Sequence, residues 1–293
     1  MFRRVFAAIF FSLIVLMMYA IHRTEGLQSK GRLRERPLGA QNENVIIGGE
    51  TKHWKVDGVD REALLYFPLS KSSEKAPLIF AFHGHGGNSR NAERTFRVEK
   101  LWPEAIVVYM QGLPTPGALT DPIGLKNGWQ KRAGDQNDRD LHFFDAVLES
   151  IKKERQIDSK RIFATGHSNG GAFTFLLWEK RGDAFAAVAP ASAVASWSMG
   201  HLKPKPAIQI GGENDQLVKF ANQKRIMDSV RVLNSCDSEG KLWSKSGTLT
   251  ATLYSSNSGT PFVTAIYPGS HKFPEEAPAM IVKFFREQTE KKE

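Results

Sequence analysis

A serine held between glycines in a short turn is the feature that most constrains this chain. The turn is GHSNG at residues 166–170, and an apolar, partly β-branched run at residues 161–165 precedes it. Residues 172–180, which follow the turn, have the composition of a helix. Only glycines fit around the central residue of so tight a strand-to-helix turn, so the Ser168 hydroxyl should project from it. We therefore predict that Ser168 is a nucleophile.

Strand-like and helix-like segments alternate from Val45 onward. Helix-like runs with apolar residues at helical spacing lie at residues 141–153 and 277–289. Strand-like runs lie at residues 77–82, 106–110, 162–165, 207–210 and 262–267. This alternation predicts an α/β fold with a mostly parallel central sheet and helices on both faces. A G-x-S-x-G turn in that setting indicates the α/β-hydrolase fold, which we expect over residues 45–293.

The chain order of the polar residues predicts the partners of Ser168. A serine attacks efficiently only when a histidine accepts its proton and a carboxylate orients that histidine. In the α/β-hydrolase order, the acid and then the histidine follow the serine. His271 lies in the loop after the last predicted strand, whereas His201 precedes the best acid. That acid is Asp215, after the penultimate strand, with Glu213 as the alternative.

Two main-chain N–H groups are expected to form an oxyanion hole. One belongs to Asn169, directly after the nucleophile, and the other to His85, in the glycine-rich stretch HGHGG at residues 83–87. His83 and His85 also form an H-x-H pair of the kind that binds zinc, but no third ligand follows at suitable spacing. We therefore predict neither a metal nor an organic cofactor.

Several short blocks carry a family resemblance in addition. They are HGHGGN at residues 83–88, VVYMQG at 107–112, DLHF at 140–143, RIFATGHSNGG at 161–171 and GSH at 269–271. Together they resemble the polyhydroxybutyrate depolymerase and feruloyl esterase family, over about residues 60–288. The resemblance implies an exported α/β-hydrolase that cleaves carboxylic esters of short-acyl, hydroxyalkanoate or feruloyl type.

Two segments, residues 112–137 and 234–260, exceed what a minimal version of this fold needs. Insertions of this kind usually shape the substrate mouth. Trp129 lies in the first segment and Trp197 after residues 190–192, so we predict both as substrate-binding aromatics, although each could equally belong to the core. Neither segment has the pattern of an apolar lid helix. An open, polar-rimmed mouth that suits short acyl groups or small aromatic esters is expected.

The first 44 residues differ from the rest of the chain. Arg3 and Arg4 precede a 17-residue uncharged apolar run at residues 5–21, which predicts a signal peptide or a signal anchor and export of the body. A flexible linker is expected at residues 22–44. The net charge of +9 places +4 in this region and leaves +5 scattered over the body. We therefore expect no nucleic-acid partner, a possible membrane tether through residues 5–21, and no obligate protein partner.

Two alternative functions on the same fold are a serine peptidase and a non-catalytic binding protein. A serine peptidase of this fold would usually need an additional propeller or lid domain. A non-catalytic, membrane-tethered binding protein would typically have lost the nucleophile or the histidine, and both are present here. Cys236 is the one cysteine of the chain, so no intrachain disulfide can form. An exported serine ester hydrolase, with an ester as its partner, remains the leading prediction.

Overall fold

The computed structural model describes residues 48–68, 74–117, 119–195 and 198–289. The leader and linker predicted for residues 1–44 lie outside these ranges. Within them, every helix is too short or too polar to cross a lipid bilayer.

A ten-stranded sheet organises the described residues. In chain order the strands are β1 (Glu50–Val56), β2 (Val59–Tyr66), β3 (Ala76–Phe82), β4 (Ile106–Met110), β5 (Leu113–Pro114), β6 (Asn127–Gly128), β7 (Ile157–His167), β8 (Ala187–Ala191), β9 (Ala207–Gly212), β10 (Lys241–Ser246), β11 (Leu249–Tyr254) and β12 (Phe262–Tyr267). The order in the large sheet is β1-β2-β4-β3-β7-β8-β9-β12-β11-β10, while β5 and β6 pair separately. From β4 to β12 neighbouring strands are parallel, and the outer strands on both sides are antiparallel.

Helices cover both faces of the sheet, which is why its central strands are mostly apolar. The helices are α1 (Ser89–Phe96), α2 (Val98–Leu101), α3 (Arg139–Glu154), α4 (Asn169–Arg181), α5 (Phe220–Leu233) and α6 (Ala277–Glu287). Apolar residues of α3, α4 and α5 pack on one face together with Leu78, Phe80 and Phe82 of β3. Residues of α1, α2 and α6 pack on the other face with Ile79 and Ala81. The predicted α/β-hydrolase architecture is thereby confirmed.

The second predicted insertion, residues 234–260, extends the sheet. Its β11 pairs with β12 in antiparallel register, with Thr250 opposite Ile266. Its β10 then forms the outer edge, where a bulge interrupts the pairing between Leu242 and Ser244. Period-two alternation is weak in β10, so sequence reasoning did not recognise these strands.

Candidate active site

Ser168 lies at the sharp turn between β7 and α4, in a backbone conformation that residues other than glycine rarely adopt. Its φ is 57° and its ψ is −119°. The turn is tight because a Cβ on Gly166 would lie 2.2 Å from the Gly170 carbonyl oxygen. A Cβ on Gly170 would lie 2.3 Å from the carbonyl oxygen of Phe82 in neighbouring β3. Glycine at both positions therefore lets the turn approach β3 and project the serine from the sheet.

His271 contacts Ser168 on one side and Asp215 on the other. The Nε2 atom of His271 lies 2.7 Å from Ser168 Oγ, and its Nδ1 atom lies 2.7 Å from Asp215 Oδ2. Because a carboxylate only accepts hydrogen bonds, Nδ1 carries the proton and Nε2 is free to accept one from the serine. The Asp215 side chain is fully buried and that of His271 is 19% exposed. The exposed Glu213 does not take part in this contact.

The Asp215 carboxylate is oriented by its own loop. Its Oδ1 atom accepts from the main-chain N–H groups of Leu217 and Val218, both at 2.9 Å. Its Oδ2 atom accepts from the Gln223 side chain at 3.0 Å in addition to His271. These donors leave the carboxylate a single orientation, with one oxygen directed at the imidazole.

Hydrogen bonds to main-chain carbonyl groups fix the loop that carries His271 against its neighbours. The Asn214 N–H donates to the carbonyl of Gly269 at 2.9 Å, continuing the β9–β12 pairing beyond the strand ends. The His167 Nε2–H donates to the His271 carbonyl at 2.9 Å. Burial, together with nearby His271, lowers the pKa of His167 to about 4, so this ring is neutral and rigidly placed at pH 7. The turn that carries Ser168 thus also fixes the loop that carries His271.

Two main-chain N–H groups beside Ser168 are free to receive an oxyanion. Among the described residues, neither the Asn169 N–H nor the His85 N–H donates to another protein group. Asn169 is the first residue of α4, where main-chain N–H groups lack helical partners and the helix dipole favours negative charge. Both residues line the pocket that contains Ser168. They are the two N–H groups for which the sequence predicts the role of oxyanion donors.

The His85 side chain is fixed by a residue that sequence reasoning missed. Its Nε2–H donates to Asp121 Oδ2 at 3.1 Å. Asp121 also accepts from the main-chain N–H groups of Gly124, Leu125 and Lys126, which lowers its pKa to about 2. The Asp-Pro-x-Gly spacing at residues 121–124 is typical of such a turn and was the available signal.

Trp129 is fully buried, so its prediction as a substrate-binding residue is wrong. Its indole stacks on Phe173 with ring centroids 5.2 Å apart, and its Nε1–H donates to the His83 carbonyl at 2.9 Å. The Asn169 amide clamps its main chain, accepting from the Trp129 N–H at 2.7 Å and donating to the Trp129 carbonyl at 3.0 Å. Trp129 is therefore a buried support for Asn169 and the main chain around it. Trp197 lies outside the described residues.

The ring nitrogens of His83 are occupied by main-chain partners. Nδ1–H donates to the Gly84 carbonyl at 2.8 Å, and Nε2 accepts from the Gly112 N–H at 3.0 Å. Burial lowers the pKa of His83 to about 4. His83 and His85 thus each have a structural partner, and within the described ranges no three His, Cys, Asp or Glu side chains cluster as metal ligands would.

A pocket of 420 Å³ contains Ser168 and His271 on its wall. The segments after β8 and β9 give it an apolar side, formed with α4 by Ala172, Ala193, Val194, Ala195, Leu217 and Val218. The segment after β4 contributes the other side, with Gly117, Leu119, Thr120 and Lys131. Residues 112–137 therefore shape the mouth as predicted. The same prediction for residues 234–260 is wrong, because none of them lines this pocket and their strands lie at the sheet edge.

Comparison with known proteins agrees with this architecture. Residues 126–235 match the model of the prolyl oligopeptidase family, a range that includes Ser168 and Asp215 but ends before His271. The solved structure of an acetyl xylan esterase from Aspergillus awamori superposes with a TM-score of 0.59 at 15% identity, covering 81% of this chain and 99% of that one. At that identity the likeness concerns the fold. The chain has the α/β-hydrolase fold.

Curated relatives of the chain include feruloyl and acetylxylan esterases. It is 28% identical over 179 residues to a probable feruloyl esterase C from Aspergillus flavus, covering 60% of this chain and 63% of that one. It is 25% identical over 185 residues to a bifunctional acetylxylan esterase/xylanase from Neocallimastix patriciarum, covering 62% of this chain and 25% of the relative. The chain thus spans less than two thirds of either relative. The likeness to feruloyl esterases among these relatives confirms the resemblance seen in the motifs.

Proposed function

We propose that this α/β-hydrolase is a serine carboxylic ester hydrolase that works through an acyl-enzyme. The observation that carries the proposal is the continuous hydrogen-bonded path from Asp215 through His271 to Ser168, with 2.7 Å at each step. The feruloyl esterase-like relatives support a carboxylic ester as the bond that is cleaved.

The geometry supports a two-step reaction. Ser168 Oγ attacks the ester carbonyl carbon while His271 Nε2 accepts its proton, and Asp215 stabilises the imidazolium that forms. The N–H groups of Asn169 and His85 stabilise the oxyanion. The intermediate collapses as the alcohol leaves with the proton from His271. A water molecule, deprotonated by His271, then attacks the acyl-enzyme. The bond between the acyl carbon and Ser168 Oγ breaks as His271 returns the proton to Oγ, so the carboxylic acid is released and free Ser168 is regenerated.

Substitution of the three residues tests this role. Ser168→Ala should abolish fluorophosphonate labelling and lower kcat by about 10⁴–10⁶, with unchanged circular dichroism. His271→Ala should be about as damaging and Asp215→Asn somewhat less so. Glu213→Gln is the matched control, since Glu213 is an exposed carboxylate of the same loop, and should keep wild-type activity. A crippled Glu213→Gln beside a mild Asp215→Asn would assign the acid to Glu213. Activity should persist in EDTA, because these side chains and main-chain groups supply all the chemistry.

The pocket favours small esters of short-acyl, hydroxyalkanoate or feruloyl type. Its 420 Å³ lies near the lower end of the range of ligand pockets, which is about 300–1,000 Å³. We expect kcat/KM to fall as the acyl chain of a p-nitrophenyl ester grows from two or four carbons to twelve. A steady rise along that series would indicate a lipase-like groove. Comparison of methyl ferulate with hydroxybutyrate oligomers would distinguish feruloyl esters from hydroxyalkanoate esters as substrates.

Export is part of the proposal and depends on residues 1–21. The basic start and the 17-residue apolar run support a signal peptide or signal anchor. Cell fractionation of the full chain, with N-terminal sequencing of the exported form, tests this directly. Recovery of the intact chain in the cytosol would contradict export, and the N-terminal residue would distinguish cleavage from a retained anchor.

The match to the prolyl oligopeptidase family favours a second candidate, a serine peptidase with the same three residues. Paired substrates with one acyl group, a p-nitrophenyl ester and a p-nitroanilide, separate the two activities. Preference for the anilide or for a peptide would support the peptidase. A non-catalytic binding protein would leave both substrates and the fluorophosphonate probe unreacted.

A further inference from the structure

Lys131 is a charged group on the pocket wall that the proposed reaction does not use. It is half-buried and lines the same pocket as Ser168. None of the residues that line this pocket is an aspartate or glutamate. Within the described part of the chain, no carboxylate lies within ion-pair distance of the Lys131 ammonium. The wall thus carries a cation that no carboxylate of the described residues pairs with.

The main chain that carries Lys131 is held rigidly. Asn169 clamps Trp129, two residues earlier, through both of its amide atoms. The Gln130 N–H donates to Asp140 Oδ2 at 2.9 Å, and the Gln130 side chain accepts from the Asp140 N–H at 3.0 Å. Asp140 is itself paired with the buried Arg61 at 2.8 Å. Lys131 therefore begins from a fixed point beside the oxyanion donors, as a preorganised binding group would.

The sheet order places Lys131 opposite the apolar part of the pocket. The turn that carries Ser168 follows β7. Strands β3 and β4 lie on one side of β7, and β8 and β9 lie on the other. Lys131 belongs to the segment after β4, whereas Ala193, Ala195 and Leu217 follow β8 and β9. A ligand centred on Ser168 would present one end to the cation and the other to small apolar side chains.

We propose that the pocket takes esters that carry a carboxylate, and that Lys131 binds this carboxylate. The proposal rests on the proposed ester hydrolase function and names the substrate class of that site. An ammonium at a half-buried wall interacts with a carboxylate more strongly than in bulk water, and the pocket contains no acidic side chain to repel the ligand. The gain should be about tenfold in kcat/KM, the scale of a partly exposed charge pair in good geometry.

Two matched ester pairs test this class and locate the charge. In the acyl pair, mono-p-nitrophenyl glutarate carries a carboxylate where p-nitrophenyl pentanoate has a methyl group. In the alcohol pair, the butanoate ester of 4-hydroxybenzoate is compared with that of methyl 4-hydroxybenzoate. For each pair the wild type is compared with Lys131→Met, so differences in intrinsic reactivity between esters cancel. The pair that responds shows whether the acyl or the alcohol part faces Lys131.

In whichever pair places its carboxylate at Lys131, Lys131→Met should lower kcat/KM about tenfold for the carboxylate ester and change it less than twofold for the neutral ester. Lys131→Arg should retain most of the preference, and Lys131→Glu should weaken it further. Lys245→Met, which removes the same charge from exposed β10, is the control for net charge and should change nothing. If Lys131→Met alters both esters of each pair by the same factor, the inference is wrong while the hydrolase function stands. If the wild type hydrolyses neither neutral ester, the proposed function itself fails.

Discussion

Acid should destabilise this protein through the buried His83, and the size of the effect follows from its surroundings. His83 is 2% exposed, and burial lowers its pKa from 6.5 to about 4. Between these two values the unfolded chain binds a proton at this position and the folded protein does not. Its contribution to stability is therefore fully present above pH 6.5 and is lost as the pH falls towards 4.

The loss between pH 7 and pH 5 should be substantial. One proton of difference changes the free energy of unfolding by about 1.4 kcal/mol per pH unit, so His83 should account for about 2 kcal/mol over this interval. In a protein of this size that corresponds to a melting temperature lower by roughly 5 °C. His167 has its pKa lowered in the same direction, so its effect adds to the wild-type slope and persists in a His83 variant.

Urea unfolding of wild type, His83→Gln and His53→Gln at pH 7 and pH 5 measures the effect. Glutamine stays neutral and keeps an oxygen that can accept from the Gly112 N–H. His83→Gln should lose about 2 kcal/mol less than the wild type on acidification, whatever its stability at pH 7. His53, whose side chain is 70% exposed, provides the control. Equal losses in all three proteins would refute the assignment of acid sensitivity to His83.

Two further predictions concern the turn and the oxyanion donors. Asp121→Asn should lower kcat about tenfold with little change in KM, because the His85 ring loses its charged partner and the adjacent N–H its fixed position, and a wild-type kcat would contradict this role. Gly170→Ala should lower the free energy of unfolding by about 3 kcal/mol or prevent folding, since its methyl group would meet the Phe82 carbonyl at 2.3 Å. Gly200→Ala, with nothing within 4 Å, should cost less than about 0.5 kcal/mol in the same urea unfolding assay.

The sequence allowed prediction of those site residues whose position depends on chain order. Ser168, Asp215 and His271 each follow a strand of the parallel sheet, and parallel strands bring the loops at their carboxyl ends to one edge. The positions of His85 and Asn169, the two predicted oxyanion donors, follow from the same rule. Strands β3, β4, β7, β9 and β12 were recognised because burial on both faces makes them mostly apolar. Strand β8, whose sequence is AVAPA, was not among the predicted strands.

Residues whose role depends on side-chain packing were not predictable in this way. An aromatic residue near the site can support it from beneath or face the ligand, and its sequence neighbours are the same in both cases. Trp129 is buried because Asn169 and Phe173 enclose it, which only the folded chain reveals. Strands β10, at the edge of the sheet, and β11, next to it, were missed because they are partly exposed and lack a continuous apolar run. Asp121 acts on His85 across 36 positions of sequence, beyond the reach of local patterns.

The bulged outer strand also bears on how copies of this protein behave when crowded together. Among the described residues no strand pairs with the outer edge of β10, so its main-chain groups are available to another chain. Exposed Lys241 and Lys245 flank the bulge between Leu242 and Ser244. A second copy adding its own β10 in antiparallel register would bring lysine towards lysine and meet an irregular row of donors and acceptors. Edge-to-edge growth into fibres is thereby opposed at the place where a long, regular edge would invite it.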